Sequence, residues 1–289
     1  MKYIIYILLF FPIWVTAQTY KYIGIENGLS NRRIFNIQKD TQGYMWFLTN
    51  EGMDRYNGKD IKHYKLNKEA STLDAPVRLG WLYTGPQIGI WVIGKQGRVF
   101  RYEANEDDFR MVYKLPDISE TISCGYLDRN NNIWLCCKDS ILLYNINDAH
   151  ILQFSNILHS NITAIEQIDE QHFFIATELG VRYVKLENGI LETIPVKTLD
   201  YFHAQVSELY FHKQLKRLFI GSFERGVFVY DMNTQEIIRP EADLSDVNIA
   251  RISPLNETEL LIATEGMGVY KVNANTCELE HYIVANYQS

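Results

Sequence analysis

The chain has 289 residues, 47% of them hydrophobic, which is enough apolar surface for a substantial folded core. Its net charge of −7, with no Lys/Arg-rich run, excludes the basic field that non-specific nucleic-acid binding requires. Nineteen Tyr, 14 Phe and 5 Trp supply rigid aromatics for packing.

The N-terminus reads as an export signal. Lys2 is followed by an apolar run from Tyr3 to Val15, and Val15-Thr16-Ala17 places small residues where a signal peptidase reads them. Thirteen apolar residues fall short of the roughly 20 that a membrane helix needs. Residues 1–17 are therefore expected to be a signal peptide cleaved near Ala17, and 18–289 an exported, periplasmic chain. Tyr20 to Ile25 reads as a strand standing before the first complete repeat.

That repeat begins with Ile34-Phe35-Asn36-Ile37-Gln38, which alternates as a half-buried strand does. Asp40 to Gly43 is a turn, because Asp can bond its own backbone and Gly accepts positive φ. Met45 to Thr49 is an apolar strand, Asn50-Glu51-Gly52 turns the chain, and Met53 to Tyr56 returns it. Asn57-Gly58 suits a tight hairpin turn, and Ile61 to Tyr64 is a fourth strand. Four short antiparallel strands form one propeller blade if the unit recurs.

It occurs six times in all. Trp46 is matched by Trp91, Trp134, Phe174, Leu218 and Leu261, at steps of 45, 43, 40, 44 and 43 residues. The expected fold is an all-β propeller of six four-stranded antiparallel blades, near 31–66, 76–115, 119–155, 160–196, 204–240 and 247–285. Because the sixth repeat keeps its own outer strand at Leu279–Val284, the strand at Tyr20 is left over. This predicts an incomplete seven-bladed ring, with closure on six blades as the alternative.

Asn27-Gly28-Leu29-Ser30, followed by Asp40-x-x-Gly43-x-x-Trp46-x-x-Thr49-x-x-Gly52-Met53-x-Arg55-Tyr56-x-Gly58, resembles the two-component regulator propeller repeat. That repeat builds the periplasmic sensors of hybrid two-component histidine kinases, especially in gut Bacteroidetes. The resemblance implies a sensor region for an oligosaccharide ligand, with the kinase, the membrane helix and any homodimer contact carried by parts C-terminal to this chain. It implies no enzyme in this chain, no nucleic-acid contact and no cofactor.

Other motifs have structural readings. Asp128-Arg-Asn130-Asn-Asn132 opens like a calcium loop, but Ile133 and Asp139 stand where that loop needs Gly and Glu. Asp128 precedes Trp134 as Asp40 precedes Trp46, so a turn is expected. Cys124, Cys136, Cys137 and Cys277 lack a disulfide-scaffold spacing; buried free thiols are preferred, with a Cys124 bridge across the hairpin as the alternative. The seven His show no metal-ligand spacing.

Loops on a rigid scaffold carry function. In a propeller, the connections entering each inner strand and the turns between second and third strands share one face. The entering set gives Arg32, Arg33, Arg78, Glu120, His159, Asn161, His203, Gln205 and Asn248. The turn set gives Asn50, Glu51, Lys95, Gln96, Lys138, Glu178, Phe223, Glu224, Arg225 and Glu265. Their mixture of charge, amide and aromatic suits a hydroxyl-rich oligosaccharide. An exported polysaccharide hydrolase or lyase is the alternative from another class, and an interaction scaffold is a third.

Overall fold

The computed structural model describes residues 21–66, 79–116, 121–240 and 244–283. The expected signal peptide, Arg78 and Glu120 lie outside the described residues.

Six four-stranded antiparallel sheets follow one another, each paired in chain order. Blade 1 is β1 (Ile34–Lys39), β2 (Met45–Thr49), β3 (Gly52–Tyr56) and β4 (Ile61–Tyr64). Blade 2 is β5 (Leu79–Gly85), β6 (Gly89–Gly94), β7 (Arg98–Glu103) and β8 (Asp108–Lys114). Blade 3 is β9 (Cys124–Leu127), β10 (Asn132–Cys136), β11 (Ser140–Asn145) and β12 (Ile151–Ser155). Blade 4 is β13 (Ile162–Gln167), β14 (His172–Thr177), β15 (Gly180–Glu187) and β16 (Ile190–Ile194). A single helical turn, α1 (Lys197–Asp200), leads to blade 5: β17 (Val206–His212), β18 (Arg217–Ser222), β19 (Val227–Asp231) and β20 (Glu236–Ile238). Blade 6 is β21 (Ile249–Pro254), β22 (Glu259–Thr264), β23 (Val269–Asn273) and β24 (Leu279–Ile283). The protein is a six-bladed β-propeller, as the repeat predicts.

The repeat motif is explained by its hydrogen bonds. One oxygen of Asp40 accepts the Gln42 and Tyr44 N–H groups at 2.9 Å, and the other accepts the Trp46 indole N–H at 2.8 Å. Asp128 repeats this with Asn130, Asn132 and the Trp134 indole at 2.8 to 2.9 Å, and Asn131 takes the positive φ that Gly43 has in blade 1. Its carboxylate is thus a turn cap, as the spacing suggested. Blade 2 has no such Asp, and the Trp91 indole bonds the Ile88 carbonyl instead. At the other end of the second strand a hydroxyl bonds a glycine carbonyl across the next turn. The pairs are Thr49 with Gly52, Thr177 with Gly180, Ser222 with Gly226 and Thr264 with Gly268.

Glycine is required at three of these turns, Gly226 included, where a Cβ would lie 2.1 Å from the Leu244 carbonyl oxygen. A Cβ on Gly52 would lie 2.2 Å from the Tyr64 carbonyl oxygen, and one on Gly180 would lie 2.2 Å from that of Phe202, with φ of +137° and +142°. These two clashes are with backbone, that of Tyr64 at the end of β4 and that of Phe202 in the connection to blade 5, rather than with a flexible side chain. Gly180→Ala is expected to cost about 2–4 kcal/mol in a urea-unfolding measurement.

Each blade shows two faces. In blades 1 to 5 the leading face, which carries the Trp46 position, packs on the following blade, and in blades 2 to 6 the trailing face packs on the preceding one. Between successive blades lie five apolar cores among the described residues. Blades 1 and 2 are further joined at Asp107, whose carboxylate receives Arg55 at 2.9 Å, Tyr64 at 2.7 Å, and Lys62 and Tyr102 at 2.5 Å. The Lys62 bond, with those from the two tyrosines and the Arg55 charge, holds that carboxyl well below the usual range.

Three expectations are corrected or settled here. The fifth repeat was aligned one residue early: Tyr210 pairs with Phe219 as Gln38 pairs with Trp46, so Phe219, not Leu218, holds the Trp46 position. β18 is buried on both faces, so its apolar run gives no sign of which residues lead. The strand expected at Tyr20–Ile25 is not formed among the described residues: Lys21–Gly24 is irregular and Ile25–Asn27 is a 3-10 turn. A lone strand has no ladder to bond, and the segment satisfies its backbone locally, with Asn27 N–H on the Gly24 carbonyl and Gly24 N–H on the Asn27 side chain. All four cysteines are buried and none forms a disulfide, with Cys124 and Cys136 directly opposite across β9 and β10.

Candidate functional site

Because strands pair in chain order, the second-to-third turns and the connections between blades share one end of the propeller, the upper face. Every described residue nominated from the sequence lies there. Arg32 and Arg33 enter β1, His159 and Asn161 enter β13, His203 and Gln205 enter β17, and Asn248 enters β21. Asn50 and Glu51, Lys95 and Gln96, Lys138, Glu178, Phe223 to Arg225, and Glu265 occupy the turns. Most are exposed; Gln96, Asn161 and Asn248 are half-buried.

Hydrogen bonds knit one half of this face together. Asn248 accepts the Glu224 N–H at 2.8 Å and donates to the Glu265 carboxylate at 2.9 Å, so one amide joins the turns of blades 5 and 6. Phe223 N–H bonds the Gln205 carbonyl, Arg225 bonds the His203 carbonyl, and Asn161 donates to Glu178 at 3.3 Å. Gly180 touches the Phe202 carbonyl and so links the blade 4 turn to the same connection.

Of the apolar members of this arc the sequence singled out only Phe223, which is 36% exposed; it did not single out Leu179, 62% exposed, Tyr201, 74%, or Met267, 42%. Glu178, Glu224 and Glu265 stand beside three of them. The turns of blades 1 to 3 carry Asn50 and Glu51, Lys95 and Gln96, and Lys138 and Asp139 instead. The upper face is therefore polar and partly basic over blades 1 to 3, and apolar with carboxylates over blades 4 to 6.

A second group, around the axis, was also missed. The innermost strands pack on one another in turn, β1 on β5 and onward to β21. Side chains on their leading faces staple neighbouring blades: the Tyr83 hydroxyl bonds the Gly125 carbonyl at 2.9 Å, and Ser207 bonds that of Ile249 at 2.6 Å. Glu166 on β13 and Glu208 on β17 belong to this set. Burial pushes the Glu166 carboxyl up to about 7, against the opposing Phe211 N–H and Arg129. Burial pushes Glu208 up to about 7 too, against Arg251 at 3.5 Å. Within their strands both look like ordinary polar positions in an alternating pattern.

Three clefts open elsewhere. One of about 170 Å³ lies between blades 1 and 2 on the lower face, against Asp40, Trp46, Arg55 and Tyr102. One of about 420 Å³ lies between blades 2 and 3 against Tyr83, Ile88 and Arg129, and one of about 390 Å³ lies at their outer strands. None of these three is lined by an upper-face residue named above; a fourth, of only about 10 Å³, lies against Arg225, Arg239 and Leu244.

This combination of repeat and blade geometry has known counterparts. Residues 28–51 match the two-component regulator propeller. The match to this propeller repeat covers the entry to blade 1, its Asp40 turn and its Trp46. Among solved structures, the chain resembles the extracellular domain assigned to hybrid two-component system BT3049 of B. thetaiotaomicron. Identity is 20% and the TM-score 0.72, over 92% of this chain and 36% of that one. A domain assigned to hybrid system BT4673 of the same organism gives 18% identity and a TM-score of 0.68, over 93% and 34%. Sqt1 of Saccharomyces cerevisiae gives 13% and 0.63, over 89% and 78%. At these identities the likeness is one of fold. The chain spans about a third of the length of the two B. thetaiotaomicron chains. Pairwise comparison with curated proteins finds no match. No helix among the described residues is long and apolar enough to cross a membrane.

Proposed function

We propose that this chain is the extracytoplasmic ligand-sensing propeller of a hybrid two-component system, and that an oligosaccharide binds its upper face over blades 4 to 6. The repeat match and the extracellular sensor domains that share the fold support the sensory role. The observation that carries the ligand class is the hydrogen-bonded arc in which exposed Phe223 adjoins Glu224, Asn248 and Glu265, with exposed Tyr201 on the connection into blade 5. Aromatic faces stack on the apolar faces of sugar rings, and carboxylates and amides bond their hydroxyls. Arg225 and His203 complete the arc, with His159 and Glu178 at its blade 4 end. Arg32, Arg33, Asn50, Glu51, Lys95, Gln96 and Lys138 form the polar remainder, which receives the charged end of a longer glycan. Arg78 belongs to the same set by its place in the sequence.

The propeller performs no chemistry in this reading. Ligand favours one arrangement of a homodimer held by parts C-terminal to blade 6, and the kinase and membrane helix in those parts respond. The test is calorimetric titration of the mature chain with a panel of neutral and acidic oligosaccharides. One glycan class should bind, and Phe223→Ala should weaken it at least tenfold, about 1.4 kcal/mol, while the melting temperature is unchanged. Release of shorter fragments from any glycan would instead show an enzyme.

A further inference from the structure

The first strands of blades 1 and 3 end on the turn carboxylates Asp40 and Asp128, six residues before Trp46 and Trp134. Six residues before Trp91, blade 2 has Gly85 instead, and its turn closes through the Trp91 indole on the Ile88 carbonyl. Gly85 and Pro86 line both lower-face clefts, that of about 170 Å³ toward blade 1 and that of about 420 Å³ toward blade 3. The two clefts are thus the halves of one groove across blades 1 to 3, divided by the blade 2 turn. A Cβ added at Gly85 would meet Ile88 at 3.0 Å, and Ile88 is itself a wall of the larger half.

Each half is also walled by an arginine that is fixed through one nitrogen. Arg55 donates from Nη1 to the Tyr102 hydroxyl at 2.8 Å and to Asp107 at 2.9 Å, with its guanidinium 4.9 Å from the centre of the Tyr44 ring. Arg129 donates from Nη1 to the Ile168 carbonyl at 3.3 Å, and its backbone N–H bonds the Gln167 side chain at 2.6 Å. Nε and Nη2 of both arginines make no hydrogen bond among the described residues. A free Nε–Nη2 edge matches the two oxygens of a carboxylate through parallel bonds. Tyr44 and Tyr102 give the first half ring faces, and Tyr83 gives the second half one. The carboxylates of Asp40 and Asp128 are spent on the N–H and indole groups of their own turns, so the unsatisfied charge of the groove is cationic.

We propose that this lower-face groove binds a short oligouronate, with one ring's carboxylate on Arg55 and a later ring's on Arg129, across the blade 2 turn. An acidic peptide fits less well, because the walls are mostly turn residues, which offer no strand edge for a peptide backbone to extend. The groove lies on the face opposite the Phe223 arc and does not depend on what binds there.

The test is calorimetric titration of the mature chain with uronate trimers (galacturonate, mannuronate and glucuronate), their methyl esters, and hexaglutamate. One trimer should bind, and its ester should bind at least tenfold more weakly. Gly85→Asp gives blade 2 the turn carboxylate that blades 1 and 3 already carry, so the fold should persist while the groove is filled and made anionic. Arg129→Gln removes an exposed guanidinium whose one side-chain bond is to a carbonyl. Each variant should weaken the trimer at least tenfold, about 1.4 kcal/mol, with the parent's melting profile, and Phe223→Ala should leave that affinity unaltered. Binding by none of the trimers would overturn the proposal. An ester that binds as tightly as its acid, or hexaglutamate that matches the trimer, would show that no carboxylate-bearing ring is recognised, and would overturn it too. Full affinity in the Gly85→Asp or Arg129→Gln chain, or loss in Phe223→Ala, would place the acid elsewhere and overturn it as well.

Discussion

Trp134→Ala should be the most damaging single substitution in the third blade, lowering unfolding free energy by about 3–5 kcal/mol. The indole is fully buried, packs on Phe173 with ring centroids 4.9 Å apart, and donates to Asp128 at 2.9 Å. Truncation opens a cavity between blades 3 and 4 and removes a donor from a buried carboxylate whose other bonds hold the preceding turn. Leu261→Ala is the internal control. It occupies the same repeat position, yet its side chain meets no following blade among the described residues, and the cost should stay below about 1.5 kcal/mol. Urea titrations of both variants measure the contrast. Equal losses would mean that the leading face of blade 6 is covered in solution.

Neutralising Glu166 or Glu208 should stabilise the propeller at alkaline pH. Both carboxyls titrate near 7 in the folded chain, raised by burial above the ordinary value of 4.5. A carboxyl with a raised folded value binds its proton more tightly in the native state. Its contribution is fully present below about pH 4.5 and lost as pH rises through about 7. The loss is on the order of 3 kcal/mol for each group. Melting temperature should therefore fall between pH 4.5 and 7.5. Glu166→Gln, which keeps an acceptor for the Phe211 N–H, and Glu208→Gln should each flatten that fall. They should raise the melting temperature at pH 8 and leave it nearly unchanged at pH 4.5. A wild-type profile without this slope would place both carboxylates in freely hydrated surroundings.

The repeat was legible because its punctuation is local. Asp40, Gly43 and Trp46 answer one another within seven residues, and Asp128, Asn131 and Trp134 do the same, so turn and strand are specified together. The fifth blade was harder to read because Leu218-Phe219-Ile220 is apolar on both faces, and only pairing with β17 fixes which residue leads. The upper face was legible as a set of turn tips, since turn position follows from strand order. Its division into halves was not. Leu179, Tyr201 and Met267 look like ordinary core residues until the fold leaves them exposed. Glu166 and Glu208 look like solvent-facing positions until the inner strands of neighbouring blades converge on them.

What the amino-acid order determined by itself is the blade: four strands, their turns, the hydroxyl and carboxylate caps, and the number of times the unit recurs. These depend on contacts within about forty residues. The tertiary structure alone decided which face of each sheet leads, which side chains meet at the axis, and that Lys21–Gly24, expected within a strand, is irregular and runs into a 3-10 turn. Such outcomes depend on which neighbour a surface finds. A strand needs a partner to satisfy its backbone, and an apolar face is buried only when another sheet lies against it.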